Sequence, residues 1–305
     1  MRHQSLHVVA PLLAVALLAA SCGNSGADAA DDDAIVVVAT TTILGDIAHA
    51  VAGDIVRVET LIGQGKDPHS FQASAAQAAM LLFAPVVVAN GLGLEEGLGD
   101  VLESAVSDGG VLVEIGPAVD PLLLRGGAPD PHVWLDPVRM ADAVNIIGDA
   151  LIAAIPESTD RIRSNADEYR ARLLATHDRI QAKLASIAPA DRILVTNHDS
   201  LRYFAARYGF QVVGTVVPAG GALSAPSASD LADLVESIDD LGVAAIFAEA
   251  SRPTRLAEVI AAELGRDVAV VELFTGSLGE PGSGAETYLG LLTTNAALVA
   301  EALAP

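Results

Sequence analysis

The chain has 305 residues, enough for two domains of ordinary size, and carries 39 acidic against 17 basic side chains for a net charge of -22. That balance argues against nucleic acid and against anionic membrane surfaces, since either partner requires a basic patch. Although 51% of residues are hydrophobic, much of that share is alanine, and no apolar run reaches membrane-spanning length.

In chain order, Met1-Arg2 gives a positive start, residues 8–20 form a short apolar run, and Ala19-Ala20-Ser21-Cys22 ends it. This is the pattern of a secretory signal, residues 1–21, too short for a comfortable span. Cys22 is the only cysteine, so an intrachain disulfide is excluded. A lone cysteine is ordinarily an apolar filler. This one follows small residues and precedes a polar stretch, which resembles a bacterial lipoprotein cleavage box. Lipidation at Cys22 is the expectation, with residues 22–33 as a flexible tether poor in anything that packs.

From residue 35 short β-branched runs alternate with amphipathic helices. Strands are expected at 35–39, 56–61, 86–89 and 111–115, with helices at 42–53, 74–83 and 94–106 between them. Val86-Val87-Val88 is apolar on both faces, as in parallel strands covered by helices on either side. Asp130-Pro131-His132-Val133-Trp134-Leu135-Asp136-Pro137 then reads as a stiff loop presenting His132, with Pro137 opening a helix over 138–155. Pro156-Glu157 starts a second helix reaching about residue 188. Along it Ile162, Ala166, Tyr169, Leu173, Thr176, Ile180, Leu184 and Ile187 recur at three- and four-residue steps, marking one buried face. Roughly 30 residues at about 1.5 Å each would span about 45 Å, a candidate strut.

The alternation resumes beyond it, with strands at 193–196, 211–217, 245–248 and 268–273. Helices at 200–208, 229–241, 254–264 and 285–302 separate and follow them. The expected fold class is α/β, two lobes of about four parallel strands with flanking helices, joined by one long helix with a cleft between. Residues 34–137 form the N-terminal lobe, 138–188 the helical connection and 189–305 the C-terminal lobe.

Five histidines lie outside the signal. His49 and His177 fall on helices and are expected at the surface. His69, in Asp67-Pro68-His69, His132, and His198, in Asn197-His198-Asp199, each fall in a loop after a strand, where open α/β sheets place ligand sites. Neutral imidazoles suit zinc and similar transition metals. Proton competition should weaken binding below roughly pH 6, given the reference His pKa of about 6.5.

Several segments make a resemblance specific. They include Val37-Val38-Ala39-Thr40-Thr41-Thr42, Asp67-Pro68-His69-Ser70-Phe71 and Asn90-Gly91-Leu92-Gly93-Leu94-Glu95. The octapeptide at 130–137, Thr196-Asn197-His198-Asp199, Phe247-Ala248-Glu249 and Thr287-Tyr288 continue the series. The chain resembles the zinc- and manganese-binding solute receptors of bacterial ABC importers over almost all of its length after the signal. The resemblance implies metal ligation by His69 and His132 from one lobe and His198 from the other. It tends to place His at the third position in zinc receptors and Glu in manganese ones. It also implies a fourth ligand, commonly Asp, where this chain has Gly276 in Phe274-Thr275-Gly276-Ser277-Leu278-Gly279. The fourth donor is then water or a carboxylate such as Glu249, Glu280 or Glu272.

The expectation is a monomeric, lipid-anchored, extracytoplasmic receptor that delivers Zn²⁺, or less favourably Mn²⁺, to an ABC permease without enzymatic chemistry. A secreted zinc hydrolase with Glu249 as general base is the rival from another class, though no His-Glu-x-x-His is present. A receptor for an organic or chelated ligand would want an aromatic-lined pocket, and aromatics make up only 4%.

Overall fold

Among the described residues, eight strands form two all-parallel sheets of four. In the first, β1 (Val36–Thr41), β2 (Arg57–Ile62), β3 (Val86–Ala89) and β4 (Val111–Glu114) lie in the order β2-β1-β3-β4. The second repeats the order as β6-β5-β7-β8, from β5 (Ile193–Thr196), β6 (Gln211–Thr215), β7 (Ala245–Glu249) and β8 (Ala269–Leu273). The computed structural model describes residues 35–107, 109–124, 126–216 and 227–304. The expected signal, Cys22 and tether therefore lie outside the described residues.

The first sheet is flanked by α1 (Thr42–Ala52), α2 (Ala75–Phe83) and α3 (Gly99–Ser107), and it leads through α4 (Pro137–Ala154) into α5 (Thr159–Leu184). Beyond α5 come α6 (Arg202–Tyr208), α7 (Ala228–Asp240), α8 (Arg255–Glu263) and the closing α9 (Tyr288–Leu303). Side-chain caps set the starts of α1, α2 and α4. Thr41 accepts from the Leu44 N–H, Ser74 forms a reciprocal capping box with Gln77, and Asp136 accepts from Val138 and Arg139 ahead of Pro137.

Differences from the expected elements are local. The cap of α1 is Thr41 rather than Thr42. The expected helix at 94–106 opens as a 3-10 turn, Glu96–Leu98, before α3. The last helix begins at Tyr288 instead of residue 285, because Thr287 holds an extended backbone and caps it. The strut is shorter than expected: α5 has 26 residues, about 39 Å at ~1.5 Å each, because Pro156–Ser158 forms a separate 3-10 turn. Its seven in-helix periodic positions, Ile162 to Leu184, are all buried.

Val38, Val87 and Leu81 belong to an apolar layer on the outer side of the first sheet, while Val195, Ile246 and Ile260 form its counterpart in the second. The main core is continuous across both lobes. It runs from Val37, Ile47 and Val86 through Trp134, Leu135, Leu173 and Ile180 to Phe247, Leu273, Tyr288 and Leu292. Helix α5 lies along this core, packed against α4, α1 and α9. The lobes are joined by buried apolar contact as well as by a connecting helix.

Candidate metal centre

The two Asp-Pro-His segments fold alike. Asp67 Oδ1 accepts the His69 backbone N–H at 3.0 Å, and Asp130 Oδ1 accepts that of His132 at 3.0 Å. Each is an Asx turn in which the proline stiffens the step between carboxylate and imidazole. The twins then diverge. Asp130 Oδ1 also lies 2.7 Å from His132 Nδ1, inside a pocket where Asp130 is fully buried. That contact places the proton on Nδ1 and leaves Nε2 free as a donor of electrons. Asp67 instead turns its second oxygen to Arg252, 2.9 Å away.

The His132 loop is held from both lobes. Asn90 Nδ2 donates to the Pro131 carbonyl at 2.9 Å, and the Asn90 N–H donates to the buried Glu95, which also accepts from Thr40. Tyr203 of α6 donates to the Asp130 carbonyl at 2.7 Å. Trp134 Nε1 donates to the Thr275 carbonyl at 2.7 Å, and the Tyr288 hydroxyl donates to the Trp134 carbonyl. His198 stands just past β5, where Asn197 Oδ1 accepts the Glu249 N–H at 2.9 Å and ties that loop to the end of β7.

These supports bring three imidazoles together. His132 Nε2 is 3.2 Å from His69 Nε2 and 3.2 Å from His198 Nε2. Two nitrogens bound tetrahedrally to zinc at about 2.05 Å would be roughly 3.3 Å apart, so the spacing is that of ligands sharing one ion. One donor atom from each histidine lies within 4.8 Å of the other two, and no carboxylate among the described residues joins the cluster. Burial, reinforced by neighbouring imidazoles, lowers the pKa of His69 to about 4 and that of His198 to about 2, the Arg252 charge adding to both. Metal binding requires this neutral form.

Three sequence expectations need correction. His132 does not follow β4 directly. The chain first passes through a 3-10 turn, Gly116–Ala118, and the Leu123–Pro129 bridge before returning to the cleft. His177 is half-buried, its Nδ1 3.2 Å from the Tyr208 hydroxyl, because α6 packs beside α5 there. None of the candidate fourth carboxylates, Glu249, Glu272 and Glu280, joins the donor cluster, and Glu272 is exposed. Glu280 is exposed, at the rim of a cavity of about 150 Å³ that Gln64, Ser251 and Gly276 also line. Glu249 is buried and pairs with Arg252, whose Nε is 2.9 Å from Oε2. His49 is exposed, as expected.

The sequence reading missed Arg252 and the pairing of Asp67 with it. A cation three residues after a strand-end glutamate, in Glu249-Ala250-Ser251-Arg252, was the available signal. Gly276 is also constrained by space: a Cβ there would lie 2.7 Å from Glu249 Oε1 and 2.8 Å from Ser251 Oγ.

Residues 37–302 match the family described as "ZnuA: Zinc-uptake complex component A periplasmic". The chain belongs to this family. Its members are solute receptors, not enzymes. The ZnuA-family chain is 31% identical to the "Zinc-binding protein TroA" of Treponema pallidum, over 86% of this chain and 88% of that one. It is 29% identical to the "Manganese-binding lipoprotein MntA" of Halalkalibacterium halodurans, over 93% and 94% respectively. The solved structure of periplasmic zinc binding protein TroA from Treponema pallidum superposes with a TM-score of 0.83 at 30% identity, covering 89% of this chain and all of that one. The two-lobed fold with its connecting helix is thus shared with that structure.

Proposed function

We propose that His69, His132 and His198 together ligate one divalent transition metal, with Zn²⁺ preferred over Mn²⁺. The receptor holds this cargo outside the cytoplasmic membrane, anchored through Cys22, and presents it to an ABC permease. The observation that carries the reading is the convergence of three Nε2 atoms with no carboxylate in the donor set. Nitrogen donors favour zinc in the order of divalent affinities, whereas manganese gains more from oxygen donors. Zinc also accepts three protein ligands with a fourth position open, which water would fill. Two named relatives point in different directions, one called zinc-binding and the other manganese-binding.

Competition titration of the metal-stripped protein tests the assignment. One ion per chain is expected, Zn²⁺ displacing Mn²⁺, with binding lost in His198→Ala. Preference for Mn²⁺ would support the second reading, a manganese receptor on the same histidines. Binding that survives His198→Ala would sink both.

A further inference from the structure

Two carboxylates flank the histidines, and one guanidinium engages both. Arg252 NH2 lies 2.9 Å from Asp67 Oδ2 of the N-terminal lobe, and its Nε lies 2.9 Å from Glu249 Oε2 of the C-terminal lobe. The Arg252 side chain is 12% exposed, with Asp67 at 15% and Glu249 at 6%, so all three charges are largely removed from water. Ion pairs in such surroundings are screened little, and taking away one partner leaves the other at a heavy cost. Glu249 Oε1, for its part, fills the space beside the Gly276 Cα that a side chain would otherwise occupy. The same carboxylate is thus positioned by the absence of a side chain at 276 and by the charge at 252.

We propose that Arg252 is a specificity-determining residue, holding Glu249 out of the donor set so that the protein offers the metal imidazole nitrogen only. The proposal rests on metal ligation by the three histidines. Without the guanidinium, Glu249 would be a buried anion with no cationic partner beside the site. Burial favours its protonated form, and a divalent cation nearby would displace that proton and take the guanidinium's place, gaining the oxygen donor that manganese favours.

The test compares Zn²⁺ and Mn²⁺ affinities of the full chain, purified in detergent and stripped of metal, with three substituted forms. Arg252→Met keeps much of the stem's volume and removes the charge. It should raise Mn²⁺ affinity relative to Zn²⁺ by about tenfold, the amount one added anionic ligand of modest net strength would give. Adding Glu249→Gln to Arg252→Met should abolish that gain. An unchanged ratio, or a gain that persists in the double variant, overturns the proposal. Glu249→Gln alone provides a measurement that does not depend on Arg252→Met folding. It should leave both affinities within about twofold, and a tenfold loss of Zn²⁺ affinity would show that Glu249 already ligates. His198→Ala separates the two levels of the argument. If it leaves metal binding intact, the histidine site itself is wrong; if it abolishes binding while Arg252→Met leaves the ratio unmoved, only the role of Arg252 is wrong.

Discussion

At the scale of single residues, two of the three imidazoles are held neutral before any metal arrives. His69 and His198 give up their protons because the cleft desolvates them and sets them against another imidazole. Their folded pKa values, about 4 and about 2, lie below the unfolded reference of about 6.5. As pH falls through that window, the unfolded chain binds protons that the fold refuses, so stability contributed by the neutral pair is present above about pH 6.5 and drains away toward 4 and below. The melting temperature of the metal-free protein should therefore drop on acidification from pH 6.5 to 4. A His69→Gln, His198→Gln double variant should show a distinctly shallower drop, and parallel curves would contradict the assigned burial effect. For these two donors, proton competition with metal in the closed site also moves down from the pH 6 suggested by a solvent-exposed imidazole. The three donors were legible in the sequence, because Asp-Pro-His occurs twice and Asn-His-Asp follows an apolar run. Arg252 and the filled space beside Gly276 were not. Both depend on which loops meet across the cleft, which no local pattern encodes.

At the scale of elements, legibility followed burial periodicity. Strands β3 and β5 have the bounds expected from their apolar runs: β3 is buried and apolar throughout, and β5 is buried at three of its four positions, with Thr196 ending its run. Helix ends were less legible: a 3-10 turn and a helix can share the same residues, and the choice lies in hydrogen bonds rather than composition. Helix α5 shows how strong the periodic signal can be. Its exposed faces carry Arg163, Asp167 and Glu168, while Leu173 sits fully buried on a helix packed against α4, α1 and α9. Leu173→Ala should cost about 2–5 kcal/mol, the range for a core leucine whose neighbours cannot collapse into the space. Glu168→Ala, on the solvated side, should stay within about 0.5 kcal/mol. Denaturant unfolding of the two variants checks the contrast, and equal losses would mean that α5 is not packed as a buried strut.

At the scale of the whole molecule, the continuity of the core constrains what the lobes can do. Trp134 and Tyr288 link the metal loop to the C-terminal lobe, and Asp46 of α1 accepts from the Tyr288 N–H at 3.0 Å and from Tyr169 of α5 at 3.1 Å. The segment after β8 adds Leu278 donating to Thr42 and Gly65 donating to Ser277, each across the cleft at 2.9 Å. Arg207 of α6 grips Asp136 at 2.8 and 2.7 Å through two of its nitrogens, and Asp136 is completely buried at the start of α4. A hinge that opened widely would have to expose this core and strand these charges, which close-packed interiors resist. Small-angle scattering of metal-free and metal-loaded protein should accordingly give the same radius of gyration, and metal exchange should proceed through the loops at the cleft. Arg207→Met provides the complementary test. It leaves Asp136 with the Arg139 guanidinium and the α4 cap bonds, and should cost about 2–3 kcal/mol, somewhat less than the roughly 3–5 for breaking a fully buried pair. With that grip removed, the scattering of the metal-free form should expand while the loaded form stays compact. If the unsubstituted protein already contracts on loading, the continuous core does not restrain the lobes, and release must work by hinge opening.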